Sequence, residues 1–320
     1  MGRALTIQTN KDRLKLPLIG VFDSGIGGLS VVREMDVRGI RNPLLYVADQ
    51  ANTPYGYLSQ QEVRDFSDGI TEFLKTRGAE FIVIACNTAS AAALYHLRSQ
   101  YPETVFVGME PAVKPATEKT TTDHIAVLAT SITFQGELYN NLIERYAANI
   151  QVETVACPEL VESVERGEIN APSTHKRLER IIEPLLSDSV DELVLGCSHF
   201  SFLKPVIQDI IGQRAEIIDP ADAVATQVKR VLSSGDKDGH YRYDQTEEEE
   251  NNISKKEDLF YTTGNSGSLR KMVTETLTTR DSIRVGNIHW ETIPNLNHSP
   301  VGRSNCRAST LLEDTCRGIP

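Results

Sequence analysis

The sequence contains few cysteines, and no two of them are closely spaced. Five are present in 320 residues, and none belongs to a CxxC motif. An odd number without that spacing suggests neither a disulfide framework nor a four-cysteine zinc site. We therefore expect free thiols in a reducing compartment and no bound metal. The cysteines are Cys86, Cys157, Cys197, Cys306 and Cys316.

The chain also lacks basic segments and long apolar runs. Its 33 Lys and Arg residues against 44 Asp and Glu residues give a net charge of −11. Nucleic-acid grooves neutralise phosphates with basic side chains, so this charge argues against such a partner. Residues 1–17 lack the apolar stretch of a signal peptide, and no segment approaches the roughly 18 apolar residues of a membrane span. We expect a cytoplasmic protein that binds neither nucleic acid nor membrane.

Short apolar runs alternate with amphipathic segments along the chain. The segment 60–77 places Val63, Phe66, Ile70 and Phe73 at spacings of three and four residues, which predicts a helix with one apolar face. Strands that alternate with such helices are typical of βαβ units and of parallel sheets buried on both faces. The predicted fold class is α/β. The apolar runs are 18–22, 44–48, 81–85, 104–108, 124–129, 152–156, 192–196 and 215–219.

Two of these runs end in nearly the same way. The segments "IVIACNT" and "LVLGCSH" both consist of an apolar strand, a small residue, a cysteine and two polar residues. We interpret this as a faint internal duplication, which predicts two pseudo-symmetric α/β domains with parallel-type sheets. The predicted division is an N-terminal extension (1–17), a first domain (18–112 plus 219–280, with a flexible insertion at 234–258), a second domain (113–218) and an irregular tail (281–320).

Residues that directly follow a strand are the first candidates for a site. In open α/β sheets, ligands bind beyond the carboxyl ends of the strands. Polar residues follow the predicted strands at 21–30, 85–90, 128–133 and 196–200. Cys86 and Cys197 lie at two of these ends, where the start of a helix favours a thiolate and so is expected to lower the pKa of each thiol.

Two such thiols permit three chemistries. A redox pair is one, although redox pairs usually depend on close spacing. A nucleophilic cysteine activated by a histidine is the second. In the third, one thiolate removes a proton from a carbon atom and the opposing thiol delivers a proton to the other face. The faint duplication favours this two-base scheme.

Acidic and imidazole groups should then support the thiols. Asp23 and His199 follow strands in suitable positions, and Glu162 and Glu165 lie one turn apart on a predicted helix, without a signal for which points inward. The glycine-rich turn "DSGIGG" could hold a phosphate or a substrate carboxylate on its amides, although its spacing is not GxGxxG.

The combination of motifs resembles the glutamate racemase family. "VFDSGIGGLSV", "PYG", "ACNTAS", "EPAVKPA", "GCSHF" and "IDPADAVA" occur in the order and approximate spacing of that family, and "FYTTG" (260–264) is similar to a segment near the end of many members. The resemblance covers most of residues 18–228. It implies two pseudo-symmetric domains with the site in the cleft between them, and possibly a homodimer.

The resemblance also implies roles for individual residues. Cys86 and Cys197 would be the catalytic acid/base residues, working on D-glutamate and L-glutamate respectively, with Asp23 supporting the first and Glu165 and His199 the second. No cofactor is implied, and the product D-glutamate would supply peptidoglycan synthesis. The implied substrate contacts are Asp23, Ser24, Tyr55, Gly56, Asn87, Thr88, Thr130, Thr133, Ser198 and His199.

Some positions depart from the family pattern, and other functions stay open. Ser198 stands where the family usually has threonine, and Gly136 stands where serine is common. The insertion and the tail have no counterpart in the family pattern. An aspartate or hydantoin racemase, a maleate isomerase-like enzyme, and a non-catalytic binding protein of the same fold are the alternatives.

Overall fold

The computed structural model describes residues 16–234, 257–280, 282–292, 306–311 and 315–316. Most of the predicted N-terminal extension and insertion lie outside these residues. The strands are β1 (Ile19–Asp23), β2 (Leu44–Ala48), β3 (Phe81–Ile84), β4 (Val105–Gly108), β5 (His124–Ala129), β6 (Gln151–Ala156), β7 (Glu192–Leu195), β8 (Glu216–Ile218), β9 (Asp258–Thr262), β10 (Ile283–Thr292), β11 (Cys306–Leu311) and β12 (Thr315–Cys316).

Helices connect most of the strands. They are α1 (Leu29–Val37), α2 (Gln60–Thr76), α3 (Asn87–Gln100), α4 (Val113–Lys119), α5 (Ser131–Gln135), α6 (Glu137–Tyr146), α7 (Glu159–Glu165), α8 (Pro172–Ser187), α9 (Phe200–Ile211), α10 (Ala221–Ser234) and α11 (Ser266–Thr276), and a 3-10 turn spans Tyr55–Tyr57. The helix predicted from residue 60 is α2, which begins with a capping box between Ser59 and Glu62. No helix in the described part of the chain combines the length and apolar character that crossing a bilayer requires.

The strands form two sheets. The larger has the order β11-β10-β9-β2-β1-β3-β4, and the smaller has the order β6-β5-β7-β8. All pairs formed among strands β1 to β10 are parallel. The central strands β1, β3, β5 and β7 are buried along their whole length, as expected for sheets covered by helices on both faces. The predicted α/β class is therefore confirmed.

The prediction of an irregular tail is wrong for residues 283–292. They form β10, which pairs in parallel with β9 and buries Val285 and Ile288. Strands β11 and β12 pair with β10 in antiparallel fashion. The partner strand β9 supplies the hydrogen bonds that define β10, and this non-local pairing leaves no periodic signal in the segment itself.

Helix α10 follows the smaller sheet in the chain but packs on α1 of the larger one. The Arg38 side chain contacts Asp222 and donates to Thr226 at 2.8 Å, and Lys229 donates to the Arg38 carbonyl oxygen at 2.9 Å. The chain thus returns to the larger sheet after β8. The exact domain boundaries stay a prediction.

Candidate functional site

The carboxyl ends of the two sheets face each other and bring the predicted strand ends together. Ser198, after β7, donates to Asp23 at the end of β1 with an oxygen–oxygen distance of 3.0 Å. The hydroxyl groups of Thr88 and Thr130 lie 2.9 Å apart across the same gap. These contacts place Cys86 on one side of the gap and Cys197 on the other.

Cys86 caps the N-terminus of α3. Its Sγ accepts a hydrogen bond from the Ala89 amide at 3.4 Å and lies 3.9 Å from the Ser24 hydroxyl. The residue is only 4% exposed. Burial, together with the nearby charge of Asp23, raises the pKa of the Cys86 thiol well above its ordinary value, although the Ala89 amide acts in the opposite direction. The expectation of a lowered pKa is therefore wrong for Cys86, because the helix terminus does not offset the loss of solvent.

Cys197 follows β7 after a single glycine. Gly196 allows this approach, because a Cβ atom there would lie 2.9 Å from the Leu128 carbonyl oxygen. Cys197 is 6% exposed, and its side chain contributes to raising the pKa of the His199 imidazole. The second thiol thus has a histidine beside it, as the sequence predicts.

His199 and Glu165 form a buried pair. The imidazole Nε2 lies 2.7 Å from Glu165 Oε1, and Nδ1 lies 3.9 Å from Asp23 Oδ2. Burial alone would lower the pKa of His199, but Asp23, Cys197 and Glu165 outweigh it and raise that pKa well above its ordinary value. Burial likewise opposes ionisation of Glu165, yet hydrogen bonds from His199, Gln50 and Ile26 lower its pKa. The pair therefore consists of a carboxylate and an imidazolium.

The structure distinguishes the two glutamates of α7. Glu165 faces the site, whereas Glu162 turns outward to Arg166 at 3.2 Å and to the Tyr57 hydroxyl at 3.3 Å. The difference arises from the glycine-rich turn, where the Ile26 amide donates to Glu165 Oε1 at 2.8 Å. The turn thus binds a carboxylate of the protein itself.

Two glycines of that turn are required by close packing. A Cβ atom at Gly25 would overlap the Glu165 carboxylate, and one at Gly27 would overlap the His199 ring and lie 2.5 Å from Ser198 Oγ. The Tyr46 hydroxyl stabilises the turn by donating to the Gly25 carbonyl oxygen at 2.8 Å. The side chains of Glu165 and His199 therefore occupy the space beside these glycines that a bound phosphate would need.

Asn87 and a chain of hydroxyl groups line the gap between the thiols. Asn87 is 2% exposed, and neither atom of its side-chain amide has a hydrogen-bond partner among the described residues. Thr88, Thr130 and Thr133 form a chain in which successive hydroxyl oxygens lie 2.9 and 3.0 Å apart. Buried amide and hydroxyl groups of this kind can bind the polar groups of a small ligand.

Tyr55 and Gly56 differ in what they offer to a ligand. The Tyr55 hydroxyl donates to Asp49 Oδ2 at 2.7 Å, so its polar end is directed at that carboxylate. Burial and the Asp49 charge raise the pKa of Tyr55. Gly56 packs across the gap, since a Cβ atom there would lie 2.9 Å from Thr130 Cγ2. At this turn the backbone rather than the phenol is available to a ligand.

Sequence reasoning missed Asp49 and Gln50. Both directly follow β2, and Gln50 Nε2 donates to Glu165 Oε2 at 2.7 Å. The signal was available, because the apolar run 44–48 ends in two polar residues at the same edge of the sheet as Asp23.

Comparison with known proteins decides the family. A family model described as Asp/Glu/Hydantoin racemase matches residues 13–228, which is more than half of the chain. The chain belongs to this racemase family. The predicted relationship is therefore confirmed, and with it the prediction that the chain is an isomerase.

Relatives of this racemase-family chain include glutamate racemases from pseudomonads. The glutamate racemase of Pseudomonas aeruginosa (strain UCBPP-PA14) is 46% identical over 216 residues, which cover 68% of this chain and 82% of the relative. That of Pseudomonas entomophila (strain L48) is 40% identical over 257 residues, covering 80% and 92%.

Solved structures of glutamate racemases share the fold of this racemase-family chain. A glutamate racemase isoform from Bacillus anthracis superposes with a TM-score of 0.72 at 28% identity, covering 85% of this chain and 97% of that one. The Escherichia coli glutamate racemase, in complex with L-glutamate and the activator UDP-MurNAc-Ala, superposes with a TM-score of 0.70 at 27% identity, covering 82% and 95%.

Proposed function

We propose that this racemase-family chain interconverts L-glutamate and D-glutamate without a cofactor, and that Cys86 and Cys197 act on opposite faces of the substrate Cα. The observation that carries the proposal is the pair of buried thiols at the facing ends of the two sheets. Glutamate racemases among the relatives support the choice of substrate. The D-glutamate would supply bacterial peptidoglycan synthesis.

The surroundings of the thiols suit different starting states. In the proposal Cys197 is the base at the start of the L-to-D reaction, because it lies beside the His199 imidazole. Cys86 is held as a thiol by burial. In the L-to-D direction, the Cys197 thiolate removes the Cα proton from L-glutamate, and the Cys86 thiol delivers its own proton to the other face. The cycle leaves Cys197 protonated and Cys86 ionised, and exchange of both protons with water restores the starting state.

The site must also compensate for the weak acidity of the Cα–H bond. Both thiols and the residues between them are buried, so the proposed reaction takes place in a site with little access to water. The Asn87 amide and the hydroxyl groups of Thr88 and Thr130 can donate to the substrate carboxylates, where negative charge increases as the proton leaves. In a water-free site these fixed donors stabilise the carbanion more strongly than they would in solution.

The substrate is tested by circular dichroism. L-glutamate and L-aspartate are incubated separately with the purified protein, and the optical signal is followed to equilibrium. We expect the signal to disappear with glutamate and to persist with aspartate. Loss of the signal with aspartate alone would replace glutamate by aspartate as the substrate. Unchanged signals with both would favour a non-catalytic binding protein.

We further propose that the enzyme is cytoplasmic, that it has two domains and that it forms a homodimer. The thiols of Cys86, Cys157 and Cys197 are free, which agrees with a reducing compartment. The two separate sheets support the predicted division into two domains. Sedimentation equilibrium measures the oligomeric state directly, and a monomer mass over the tested concentration range would contradict the dimer.

A further inference from the structure

The segment "FYTTG" (260–264) follows residues 13–228, the part of the chain that the family model matches. In space it lies beside Asp49 and Gln50. Strand β9 pairs with β2 so that Thr262 lies opposite Ala48. Thr262 Oγ1 then donates to Gln50 Oε1 at 2.7 Å, and Thr263 Oγ1 donates to Asp49 Oδ1 at 2.8 Å. Each threonine of the motif thus holds one of the two polar residues that follow β2.

The hydrogen bonds around Thr262 fix the orientation of the Gln50 amide. The Gly264 amide donates to Thr262 Oγ1 at 2.9 Å, so the hydroxyl hydrogen is free to point at Gln50 Oε1. The amide oxygen of Gln50 therefore faces Thr262. Its nitrogen must face the opposite direction, where it donates to Glu165 Oε2 at 2.7 Å and to Ser268 Oγ at 3.3 Å.

Gln50 gives Glu165 a donor on the oxygen that faces away from His199. Oε1 lies 2.8 Å from the Ile26 amide and 2.7 Å from His199 Nε2, whereas Oε2 lies 2.7 Å from Gln50 Nε2. Donors on both oxygens favour the ionised carboxylate and restrict its rotation. Close packing adds to this restraint, because a Cβ atom at Gly264 would lie 2.6 Å from Gln50 Cβ.

We infer that Thr262 and Gln50 are positioning residues that keep Glu165 ionised and directed at His199, and so maintain the imidazolium beside Cys197. The inference rests on the proposed racemisation for its kinetic test. Gln50 acts through Glu165 and His199, and Thr262 acts through Gln50.

The kinetic test compares kcat/KM across pH for variants at these two positions. Q50L removes the donor to Glu165, and T262V removes the donor that orients Gln50. We expect Q50L to lower kcat/KM about tenfold, the effect of losing one hydrogen bond to a charged group. T262V should lower it by a smaller factor, because the bond that it loses is to a neutral amide oxygen. T262S keeps the hydroxyl and should restore the wild-type rate. T274V is the control. It removes the Thr274 hydroxyl, which donates to the Arg270 carbonyl oxygen on α11 and not to Gln50.

The pH profile separates positioning from a general loss of structure. Without the Gln50 donor, the pKa of Glu165 rises, so the acid limb of the profile moves to higher pH. Q50E should move it further than Q50L, because two adjacent carboxylates cannot both be ionised. A rate and an acid limb in Q50L and T262V that match the wild type would overturn the inference. Should Q50L fail to fold, T262V and T262S carry the same test.

A titration without substrate distinguishes this inference from the proposed function. Carbon-13 NMR of the Glu165 carboxyl group follows its protonation directly in the wild type and in the variants. An upward shift of this titration in Q50L and T262V supports the inference even if glutamate is not the substrate. Identical titrations in all the variants would overturn it even if the wild type racemises glutamate.

Discussion

The Ser198 hydroxyl donates to Asp23 Oδ1 at 3.0 Å and thereby joins the residue after Cys197 to the end of β1. Both side chains are buried, and the other carboxylate oxygen of Asp23 accepts from the Gly25 amide at 3.1 Å. The bond connects the two sheets at the level of the thiols. It therefore helps to determine how far apart the two sulfur atoms lie.

Removal of this hydroxyl should weaken both stability and activity. S198A leaves a buried carboxylate without one of its donors, so we expect the unfolding free energy to fall by about 1–3 kcal/mol. S198T keeps the hydroxyl and should resemble the wild type. Urea denaturation and racemisation assays on the two variants test this, and equal behaviour of S198A and S198T would contradict the role of the bond.

A methyl group at Gly25 should impair catalysis more than folding. The added Cβ overlaps the end of the Glu165 side chain, which can move aside, so the cost falls on the position of the carboxylate. We expect G25A to lower kcat/KM by about a hundredfold, the effect of misplacing a functional group by about 1 Å.

Gly39 provides the matched control for this variant. It has a φ of 75° and no atom within 4 Å of an added Cβ. G39A should therefore cost about 1 kcal/mol of stability through backbone strain and leave activity intact. Parallel kinetics and thermal unfolding check the contrast. Wild-type activity in G25A would show that the turn is not needed to place Glu165.

The raised pKa of His199 predicts how its contribution to stability depends on pH. A group whose pKa is higher in the folded state stabilises fully below its unfolded pKa, and this contribution is lost as pH rises through the folded value. The difference in unfolding free energy between the wild type and H199Q should therefore shrink above about pH 6.5, by about 1.4 kcal/mol per pH unit. Urea denaturation at several pH values measures it. A difference that is constant or that grows with pH would contradict the imidazolium.

A buried arginine should hold the start of β9 in place. Arg280 donates to Asp36 Oδ1 at 2.7 Å and to Asp258 Oδ2 at 2.8 Å. R280A leaves two buried carboxylates without their cation, so we expect a loss of about 3–5 kcal/mol in unfolding free energy. R214A is the control, because Arg214 pairs with Glu183 on the exposed surface, and its loss should leave stability unchanged. Equal unfolding midpoints for both variants would be incompatible with this account.

Strand and helix periodicity was enough to predict the α/β class, and the repeated pattern around Cys86 and Cys197 was enough to bring these residues to one site. The choice between Glu162 and Glu165 could not be predicted, because both lie on one short helix and the contact with the glycine-rich turn decides between them. The pKa of Cys86 was mispredicted, since the helix terminus is visible in sequence but the extent of burial is not.

The role of Gln50 and the strand β10 could not be predicted from the sequence, because both depend on contacts between distant parts of the chain. Gln50 is recognisable as a site residue only when β9 and α7 are placed beside β2. In the same way, β10 becomes a strand through its pairing with β9.

Racemisation of glutamate by C86S, C197S and C157A tests the central claim most directly. Cys157 is a buried cysteine at the end of β6, and its Sγ lies 3.6 Å from the Val155 carbonyl oxygen, so it matches the other two in burial and in its place after a strand. Circular dichroism of L-glutamate and of D-glutamate with each variant measures the rate in both directions. We predict that C86S and C197S lose racemisation in both directions while C157A retains it. Racemisation at the wild-type rate by either C86S or C197S would contradict the two-thiol mechanism.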